Sequence, residues 1–310
     1  MGILSVSFSI DQNQHLAAVV PANQIPSGSN TLDVENGLPP GQSQSFPNFI
    51  GSADLGMAST GVYLVTLTLN GTDTCAAVVS ISGLPGALSV ISGIAVPATG
   101  GAFGFDTDGT VPDGTLTILK SNFEYIFCLR YVSRAAPYTK DISSTEVGTY
   151  LAEDVALMLV QHPPAAGWTP TADEGTSWGT AAVANAATAC VPKGVSLFCD
   201  LEGVDSDASA SDIADFCNGW YSAVSNAGYS PGLYVGANCG LSSDQLSALS
   251  FQTFWKSCST VPAPQQGFVM TQSPCDVERG DENVTIQVDE NTIANSAGSL
   301  MWLKKQVDLQ

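Results

Sequence analysis

Residues 195–203 alternate between apolar and more polar side chains, in the order Val-Ser-Leu-Phe-Cys-Asp-Leu-Glu-Gly. Successive side chains of a strand point to opposite faces, so the odd positions from Val195 to Leu201 share an apolar face. The even positions from Ser196 share the other face, which ends in Asp200 and Glu202. Because an unpaired carboxylate is costly inside an apolar core, the pattern predicts a buried strand whose end opens into a polar pocket.

Apolar runs of strand length alternate with segments of helical spacing from residue 101 onward. Strands are predicted at 101–106, 124–130, 155–161, 195–203, 231–236, 251–256, 267–272 and 284–288. Helices are predicted at 112–121, 143–153, 177–190, 211–227, 241–249 and 291–303. Regular alternation of this kind indicates a parallel sheet. Eight units in this length predict a TIM-like α/β barrel, (β/α)8, over residues 99–310, with an open doubly wound sheet as the alternative.

Residues 1–98 have a different pattern, with short β-prone runs at 3–10, 15–20, 61–70 and 74–82 between turn-rich segments. The Asn-Gly-Thr-Asp sequence at 70–73 joins two of these runs and predicts a hairpin. We expect an all-β sandwich or small barrel here, with a linker at 95–101. The region carries no obvious catalytic cluster, so a structural or docking role is expected.

The charge is strongly acidic, with 9 basic and 29 acidic residues in 310 and a formal net charge of −20. This argues against nucleic acid or an anionic membrane surface as a partner. No Lys or Arg precedes Lys120, which supports a domain boundary near residue 100. We see no secretory signal at the N-terminus and no run of apolar residues long enough for a transmembrane helix.

The eight cysteines include no C-x-x-C pair, and the chain has only two histidines, so we expect no metal site and no cofactor. Cys128, Cys199 and Cys217 fall in apolar strand or helix patterns, where a free cysteine acts as a small hydrophobe. Cys239, Cys258 and Cys275 fall in loops at one end of the predicted barrel, where two of them could form a disulfide.

Polar side chains cluster at the predicted carboxyl ends of the strands, where barrel enzymes place their active sites. They are Asp106, Arg130, Tyr131, Asp200, Glu202, Tyr234, Asn238, Trp255, Gln272 and Asp289. Carboxyls can act as acid, base or nucleophile, and aromatic rings present flat faces to sugars, so the set suits a glycosidase. Crowded carboxyls also raise one another's pKa, as a general acid requires.

Several of these residues have a simpler structural explanation. Asp106 can cap the following helix, and Arg130 can serve as the counter-ion of the carboxylates. Tyr234 and Trp255 can be ordinary core aromatics. His162 precedes Pro-Pro without a Ser or Cys motif, so it is expected to be a loop residue.

The C-terminal region also resembles a known family. The matching segments are Gly-Phe-Asp-Thr at 104–107, Phe-Cys-Leu-Arg-Tyr at 127–131, Leu-Phe-Cys-Asp-Leu-Glu at 197–202, Gly-Leu-Tyr-Val-Gly at 232–236, Gln272 and Val-Asp-Glu-Asn at 288–291. Over residues 101–303 the chain resembles the glycoside-hydrolase-like barrels catalogued as domain of unknown function 1906. It is more distantly similar to family-25 lysozyme-type muramidases. The Trp-Gln common on strand 7 of the muramidases is Thr271-Gln272 here.

The resemblance implies Glu202 as general acid/base and Asp200 as nucleophile or electrostatic stabiliser, with Asp106 and Asp289 positioning or polarising the substrate. Arg130, Tyr131, Tyr234, Trp255, Gln272 and Asn238 are then the expected substrate-binding residues. The implied substrate is a polysaccharide of the cell wall, such as peptidoglycan, or of the capsule.

Two functions stay open. The first is a lysozyme-like glycan hydrolase. The second is a non-catalytic phage virion or tail-associated protein whose barrel binds sugar or is purely architectural. An N-terminal β domain without a signal peptide suggests a phage-associated, extracellular location, and it would also suit a bacterial effector exported by a dedicated machine. Its expected docking partner is a virion, another assembly or a second copy of the chain.

Overall fold

A computed structural model describes residues 6–12, 14–20, 25, 27–36, 43–57, 60–69, 73–84 and 87–306. The N-terminal region holds eight strands in its described part: β1 (Ser7–Ile10), β2 (His15–Val19), β3 (Asn30–Asn36), β4 (Ser43–Pro47), β5 (Ser52–Met57), β6 (Gly61–Leu69), β7 (Asp73–Leu84) and β8 (Ala87–Pro97). The start of the strand predicted at 3–10 and residues 70–72 of the predicted hairpin turn lie outside the described residues. β6 and β7 pair antiparallel on either side of that turn.

These strands form two sheets that bury one apolar core between them. β1, β2 and β5 make a small sheet, while β4, β3, β6, β7 and β8 are neighbours in a larger one. Phe8 and Leu16 of the small sheet share a buried cluster with Val65 and Val79 of the large sheet. The region is therefore β-rich, as predicted from its short β-prone runs.

Residues 103–293 contain a closed barrel of eight strands. The strands are β9 (Phe103–Thr107), β10 (Phe127–Val132), β11 (Ala156–Gln161), β12 (Ser196–Leu201), β13 (Ser230–Val235), β14 (Phe254–Lys256), β15 (Met270–Gln272) and β17 (Thr285–Ile293). They neighbour one another in that order, and β17 closes the ring by pairing with β9. A short strand outside the ring, β16 (Val277–Gly280), pairs with β17.

The helices depart from a (β/α)8 pattern. Helices follow only the first five barrel strands in the described part of the chain: α1 (Thr115–Phe123), α2 (Ser144–Ala152), α3 (Ala172–Thr188), α4 (Ala210–Asn226) and α5 (Ser243–Ala248). A loop joins β14 to β15, and β16 stands between β15 and β17. β17 runs antiparallel to both of its barrel neighbours. The expected eight-fold strand–helix repeat is therefore wrong for the last third of the barrel.

The helix predicted at 291–303 is also wrong. Residues up to Ile293 continue β17, and β18 (Met301–Lys305) follows after a loop. Ile293 and Leu300 are seven positions apart, as on one face of a helix, whereas Trp302 follows Leu300 at the spacing of a strand; all three are buried in the barrel interior. Gly298, with φ of 58°, lies in the left-handed region that breaks a helix.

β18 connects the barrel to the N-terminal sheet. It pairs antiparallel with β8 and touches β11 at the Leu157–Leu303 pair. β8 therefore continues through Pro97, which the sequence places in a linker, because β18 satisfies its backbone hydrogen bonds. The predicted boundary at residues 98 and 99 falls between β8 and β9.

The helix α2 lies between the barrel and the N-terminal sheet. Its Tyr150 and Leu151 share a buried cluster with Val62, Leu64 and Val78 of β6 and β7. β7 is thus covered on both faces, which accounts for the continuous apolar run at 76–79. Among the described residues, no helix has the length and apolarity that a membrane crossing requires.

Candidate active site

The carboxyl ends of the parallel barrel strands surround an open cleft of about 460 Å³. The four residues predicted as catalytic, Asp106, Asp200, Glu202 and Asp289, all line it. Asp289 arrives there although β17 is antiparallel, because its pairing with Asp106 places it beside the carboxyl end of β9. Four carboxyls from three strands therefore meet in one cleft.

The strand β12 carries its side chains with the predicted alternation. Phe198 packs inside the barrel, whereas Leu197, Cys199 and Leu201 pack outward against the helices. Asp200 has the parity of Phe198, so it follows that ring along the barrel interior into the cleft. Directly after β13, a Cβ added at Gly236 would collide with the Glu202 side chain, so a glycine at this position leaves room for Glu202.

Asp106 is held by a network of amide and hydroxyl donors. Its Oδ2 accepts hydrogen bonds from Asn291 Nδ2 at 2.6 Å and Gln272 Nε2 at 2.8 Å. Tyr131 donates its hydroxyl to Oδ1 at 3.4 Å. Burial, together with the charge of Asp289, raises the pKa of Asp106 to about 7 against these donors. The network therefore fixes the orientation of the carboxyl without holding it permanently ionised.

A second layer of side chains holds those amides in place. Tyr234 donates its hydroxyl to Gln272 Oε1 at 2.9 Å, and Trp255 donates its Nε1–H to Asn291 Oδ1 at 2.8 Å. The rings of Tyr234 and Trp255 meet edge to face with centroids 4.5 Å apart. Each amide thus has its oxygen occupied below, so that its N–H groups point up to Asp106.

Asp200 is the most isolated of the carboxyls. It is buried, and its Oδ1 has no hydrogen-bond partner within the described residues. Burial, reinforced by Glu202 and then Asp106, raises the pKa of Asp200 well above its usual value. That oxygen is itself inaccessible to solvent, whereas the residue as a whole forms part of the cleft lining.

Glu202 and Asp289 are only partly buried, so both are open to the cleft. Burial, and then the charge of Asp289, raises the pKa of Glu202. Burial also raises the pKa of Asp289, although its Oδ1 accepts the Asp276 N–H at 2.6 Å. The cleft therefore combines a buried acid with partly exposed ones.

Arg130 does not belong to this cleft. It is fully buried on the outer side of the barrel, where its Nε donates to Glu146 Oε1 of α2 at 2.6 Å. Its other nitrogens donate to the carbonyls of Thr107 and Lys140. Parity explains the placement: Tyr131 points into the cleft, so its neighbour Arg130 must point outward. The sequence-based prediction put Arg130 at the barrel mouth because it considered only that Arg130 is near the carboxyl end of its strand and ignored this alternation.

The other expected substrate-binding residues divide into three positions. Tyr131 lines the cleft. Tyr234, Trp255 and Gln272 lie buried beneath it, as supports of Asp106 and not as lining. Asn238 is exposed beyond β13 in a left-handed turn, and it is not part of the cleft lining.

Sequence reasoning missed three polar residues around the carboxyls. Asn291 lies two residues after Asp289 on the same face, so a longer β17 would have revealed it. The Asp276 N–H binds Asp289 from a loop that no periodicity describes. His162, expected only as a loop residue, lines the cleft and stacks against Tyr131 with centroids 4.6 Å apart.

One disulfide closes the loops beside the cleft. Cys258 and Cys275 are bonded, with their Cα atoms 6.2 Å apart, while Cys239 is buried and free. This is one of the pairings that the sequence left open. Within the described residues, no group of three or more His, Cys, Asp or Glu side chains is arranged to hold a metal ion.

Comparison with known families adds a finding. Residues 118–293, 176 of the 310, match the model of the Rv2525c-like, glycoside hydrolase-like domain. The chain belongs to this family. The match runs from α1 to the end of β17 and so includes Asp200, Glu202 and Asp289, while Asp106 lies just before it. No curated protein matches the chain.

Solved structures similar to this family member share low identity with it. An uncharacterized B. stearothermophilus protein is 17% identical, with a TM-score of 0.48, over 65% of this chain and 100% of that one. The Mycobacterium tuberculosis Tat-secreted protein Rv2525c is 16% identical, with a TM-score of 0.45, over 64% and 98%. The Clostridium perfringens spore cortex lytic enzyme SleM is 14% identical, with a TM-score of 0.47, over 65% and 69%.

Proposed function

We propose that this chain hydrolyses a glycosidic bond in a cell-wall or capsular polysaccharide, with Glu202 and Asp200 as its central residues. Membership of a glycoside hydrolase-like family supports the reaction class. The observation that carries the proposal is the cleft itself, in which two carboxyls of one strand end meet with raised pKa values and different exposure. Glycosidases need such a pair, with one carboxyl protonated and the other ionised.

Glu202 is the proposed general acid. It is partly exposed, so a glycosidic oxygen can reach it, and its raised pKa lets it keep a proton at higher pH. It donates that proton to the leaving oxygen as the bond between this oxygen and the anomeric carbon breaks. Water then adds to the anomeric carbon and returns a proton to Glu202, which restores the starting state.

Asp200 and Asp289 are proposed to stabilise the positive charge that develops on the sugar ring. Asp200, which lines the cleft, acts as nucleophile or as electrostatic stabiliser once it has lost its proton. Because the carboxyls raise one another's pKa, some of them keep a proton near neutral pH. The cleft then carries fewer negative charges than it has carboxyl groups. Asp106, fixed by Gln272 and Asn291, positions the substrate.

The position of Arg130 favours hydrolysis over a purely architectural barrel. A non-catalytic barrel would be expected to neutralise its carboxylates with Arg130 beneath a closed mouth. Arg130 instead pairs with Glu146, and the cleft is open. The non-catalytic, sugar-binding function remains the alternative outcome of the experiment below, and the phage-associated location stays a prediction.

The experiment is to incubate the full chain with purified peptidoglycan and with capsular polysaccharide, following turbidity and reducing sugar. Wild type is compared with Glu202→Gln and Asp200→Asn, and Glu282→Gln serves as the matched control because Glu282 is exposed outside the cleft. We expect wild type and Glu282→Gln to release sugar. We expect Glu202→Gln and Asp200→Asn to lose at least about a hundredfold in rate, the usual contribution of a positioned acid or base.

Folding and glycan binding of each variant are measured in parallel by far-UV circular dichroism and by co-sedimentation with the insoluble wall. Sugar release that Glu202→Gln retains in full would contradict the assigned acid. Binding of the glycan without release by wild type would support the non-catalytic alternative.

A further inference from the structure

A second cleft, of about 690 Å³, adjoins the carboxylate cleft. The two share Asp108, His162 and Pro163 as a common wall. The other lining residues of the second cleft come from the loop after β10, residues 133–140, and from Trp178 of α3. A chain-like ligand bound over the carboxyls can therefore extend directly into it.

The two clefts differ in charge. The carboxylate cleft is lined by five aspartates and one glutamate, with no lysine or arginine among its lining residues. The second cleft contains Arg134 and Lys140, two of only nine basic residues in the chain. Asp108, on the shared wall, is the only acidic residue among the described residues that line it. A protein with a net charge of −20 thus presents a local basic surface beside its acidic one.

The basic groups of the second cleft are available to a ligand. Arg134 stacks over the Trp178 ring at 4.8 Å, and the charge of Glu174 acts on it, but it makes no ion pair within the described part of the chain. Lys140 Nζ lies 3.9 Å from Asp108 Oδ2, and both side chains are more than half exposed. A pair this long and exposed contributes little, so a better-placed anion can displace it.

The loop that carries these groups is fixed in place. Asp141 Oδ2 accepts the N–H groups of Ser133 and Tyr138, both at 2.9 Å. Asn185 of α3 donates to the Ser133 and Ala135 carbonyls at 2.9 and 2.7 Å. A loop tied at both ends loses little entropy when a ligand binds, which makes it suitable as a recognition surface.

Tyr138 adds an aromatic face to this basic surface. It lines the second cleft with 60% of its surface exposed, which is unusual for a large aromatic side chain. Exposed aromatic rings present flat apolar faces on which sugar rings can stack. Guanidinium groups bind carboxylates through paired hydrogen bonds.

We propose that the second cleft binds a sugar that carries a carboxylate, next to the sugar whose bond is cleaved at Glu202. Arg134 and Lys140 bind the carboxylate, and Tyr138 contacts the sugar ring. This proposal rests on the proposed function, because it extends the same substrate-binding surface. It also gives a way for so acidic a protein to bind an acidic glycan, since the negative charge of the ligand would meet Arg134 and Lys140 beside the cleft.

The test measures binding by calorimetry to the full chain carrying Glu202→Gln, which prevents turnover. The probes are a hyaluronan hexasaccharide and trigalacturonic acid, each compared with its neutral methyl ester, and a glycerol phosphate oligomer. In this background Arg134→Gln, Arg134→Lys and Lys140→Gln are compared with Lys193→Gln, an exposed lysine outside both clefts.

We expect at least one acidic oligosaccharide to bind at least tenfold more tightly than its methyl ester. Arg134→Gln should abolish this preference, Arg134→Lys and Lys140→Gln should reduce it, and Lys193→Gln should leave it unchanged. Equal binding of acid and ester, no binding of either acid, a preference that survives Arg134→Gln, or tighter binding of the glycerol phosphate oligomer would each overturn the proposal. Acid-selective binding by a chain that hydrolyses no glycan would instead overturn the proposed function alone.

Discussion

Asp200 lowers the stability of the folded chain, although it is one of the two residues central to the proposed reaction. It is buried with one oxygen unpartnered, and burial raises its pKa. A buried polar group without a partner costs about 1–3 kcal/mol. No described contact compensates Oδ1, which solvent does not reach, so this oxygen is a cost to the folded chain.

The raised pKa values predict how stability depends on pH. A carboxyl with a higher pKa in the folded chain binds its proton more tightly there than in the unfolded chain. Its contribution to the free energy of unfolding is therefore greatest below its unfolded pKa and is lost as pH rises through its folded pKa. For Asp106 this window runs from its ordinary value of 3.8 to about 7. Asp200, Glu202 and Asp289 act in the same direction. We expect the free energy of unfolding to fall as pH rises from 4 to 8.

Asp200→Asn tests this explanation. The substitution removes the buried charge, so we expect it to raise the free energy of unfolding by about 1–3 kcal/mol at pH 8 and by much less at pH 4. Urea unfolding at the two pH values measures the difference. Asp215→Asn, at an exposed position on α4, is the control for the loss of one negative charge. A variant no more stable than wild type at pH 8 would contradict this interpretation of the cleft.

The orientation of a side chain was predictable where strand alternation was applied. Its bonding partner was not predictable where that partner comes from a second element. Parity alone put Asp200 and Glu202 on one face of β12, and the structure agrees. Parity also forbids Arg130 at the mouth once Tyr131 lies there. Its partner Glu146, sixteen positions away on α2, follows no period that the sequence displays.

At the scale of elements, the Arg130–Glu146 pair joins β10 to α2. Both side chains are buried, and Glu146 accepts from the Arg130 Nε and from a terminal nitrogen. The same helix packs against the N-terminal sheet, where a Cβ added at Gly148 would lie 2.9 Å from Ser80 Oγ. The position of α2 thus depends on the Arg130–Glu146 ion pair on its barrel side and on the close approach of Gly148 to β7 on its other side.

Glu146→Ala is predicted to destabilise the fold without touching the cleft. It leaves the buried guanidinium of Arg130 without its carboxylate, which costs about 3–5 kcal/mol. Urea unfolding measures this loss against Glu282→Ala, an exposed change of the same type. If the proposed hydrolysis is measured, the KM of the folded variant should equal that of wild type, because Arg130 supports the fold and lies outside the cleft. A raised KM with unchanged stability would return Arg130 to the substrate-binding residues.

Helices were more predictable than the last strands. Ile213, Phe216, Trp220 and Val224 define the buried face of α4, as their spacing predicts. Ser143, the first residue of the helix predicted at 143–153, accepts the Glu146 N–H with its side chain and caps α2. The direction of β17 could not be deduced in this way, because alternation along a strand is the same whichever way the strand runs.

At the scale of the whole molecule, the N-terminal sheet and the barrel share structure. β18 links β8 to the barrel, and one buried cluster joins Val78 of β7 to Tyr150 of α2. The sequence indicated a change of composition near residue 100 but not this continuity, because the pairing of β8 with β18 joins residues about 200 positions apart.

Val78→Ala tests whether the two parts unfold together. All five tryptophans lie after residue 100 and four of them lie before residue 293, so tryptophan fluorescence reports mainly the barrel region. Removing two buried methyl groups from the N-terminal sheet should lower the unfolding free energy by about 2 kcal/mol. If the parts are coupled, the unfolding free energy from urea titration followed by fluorescence falls by this amount. The urea midpoints from fluorescence and from far-UV circular dichroism then coincide. A fluorescence midpoint that does not move would show that the barrel unfolds by itself.

The pH profile of reducing-sugar release from purified cell wall and capsule tests the central claim most directly. The account predicts that wild type and Glu282→Gln release sugar and lose activity as pH rises through the raised pKa of Glu202. Glu202→Gln should release none across the same range. No release by wild type at any pH from either glycan, or equal release by Glu202→Gln, would contradict the assignment of this cleft as a glycosidase site.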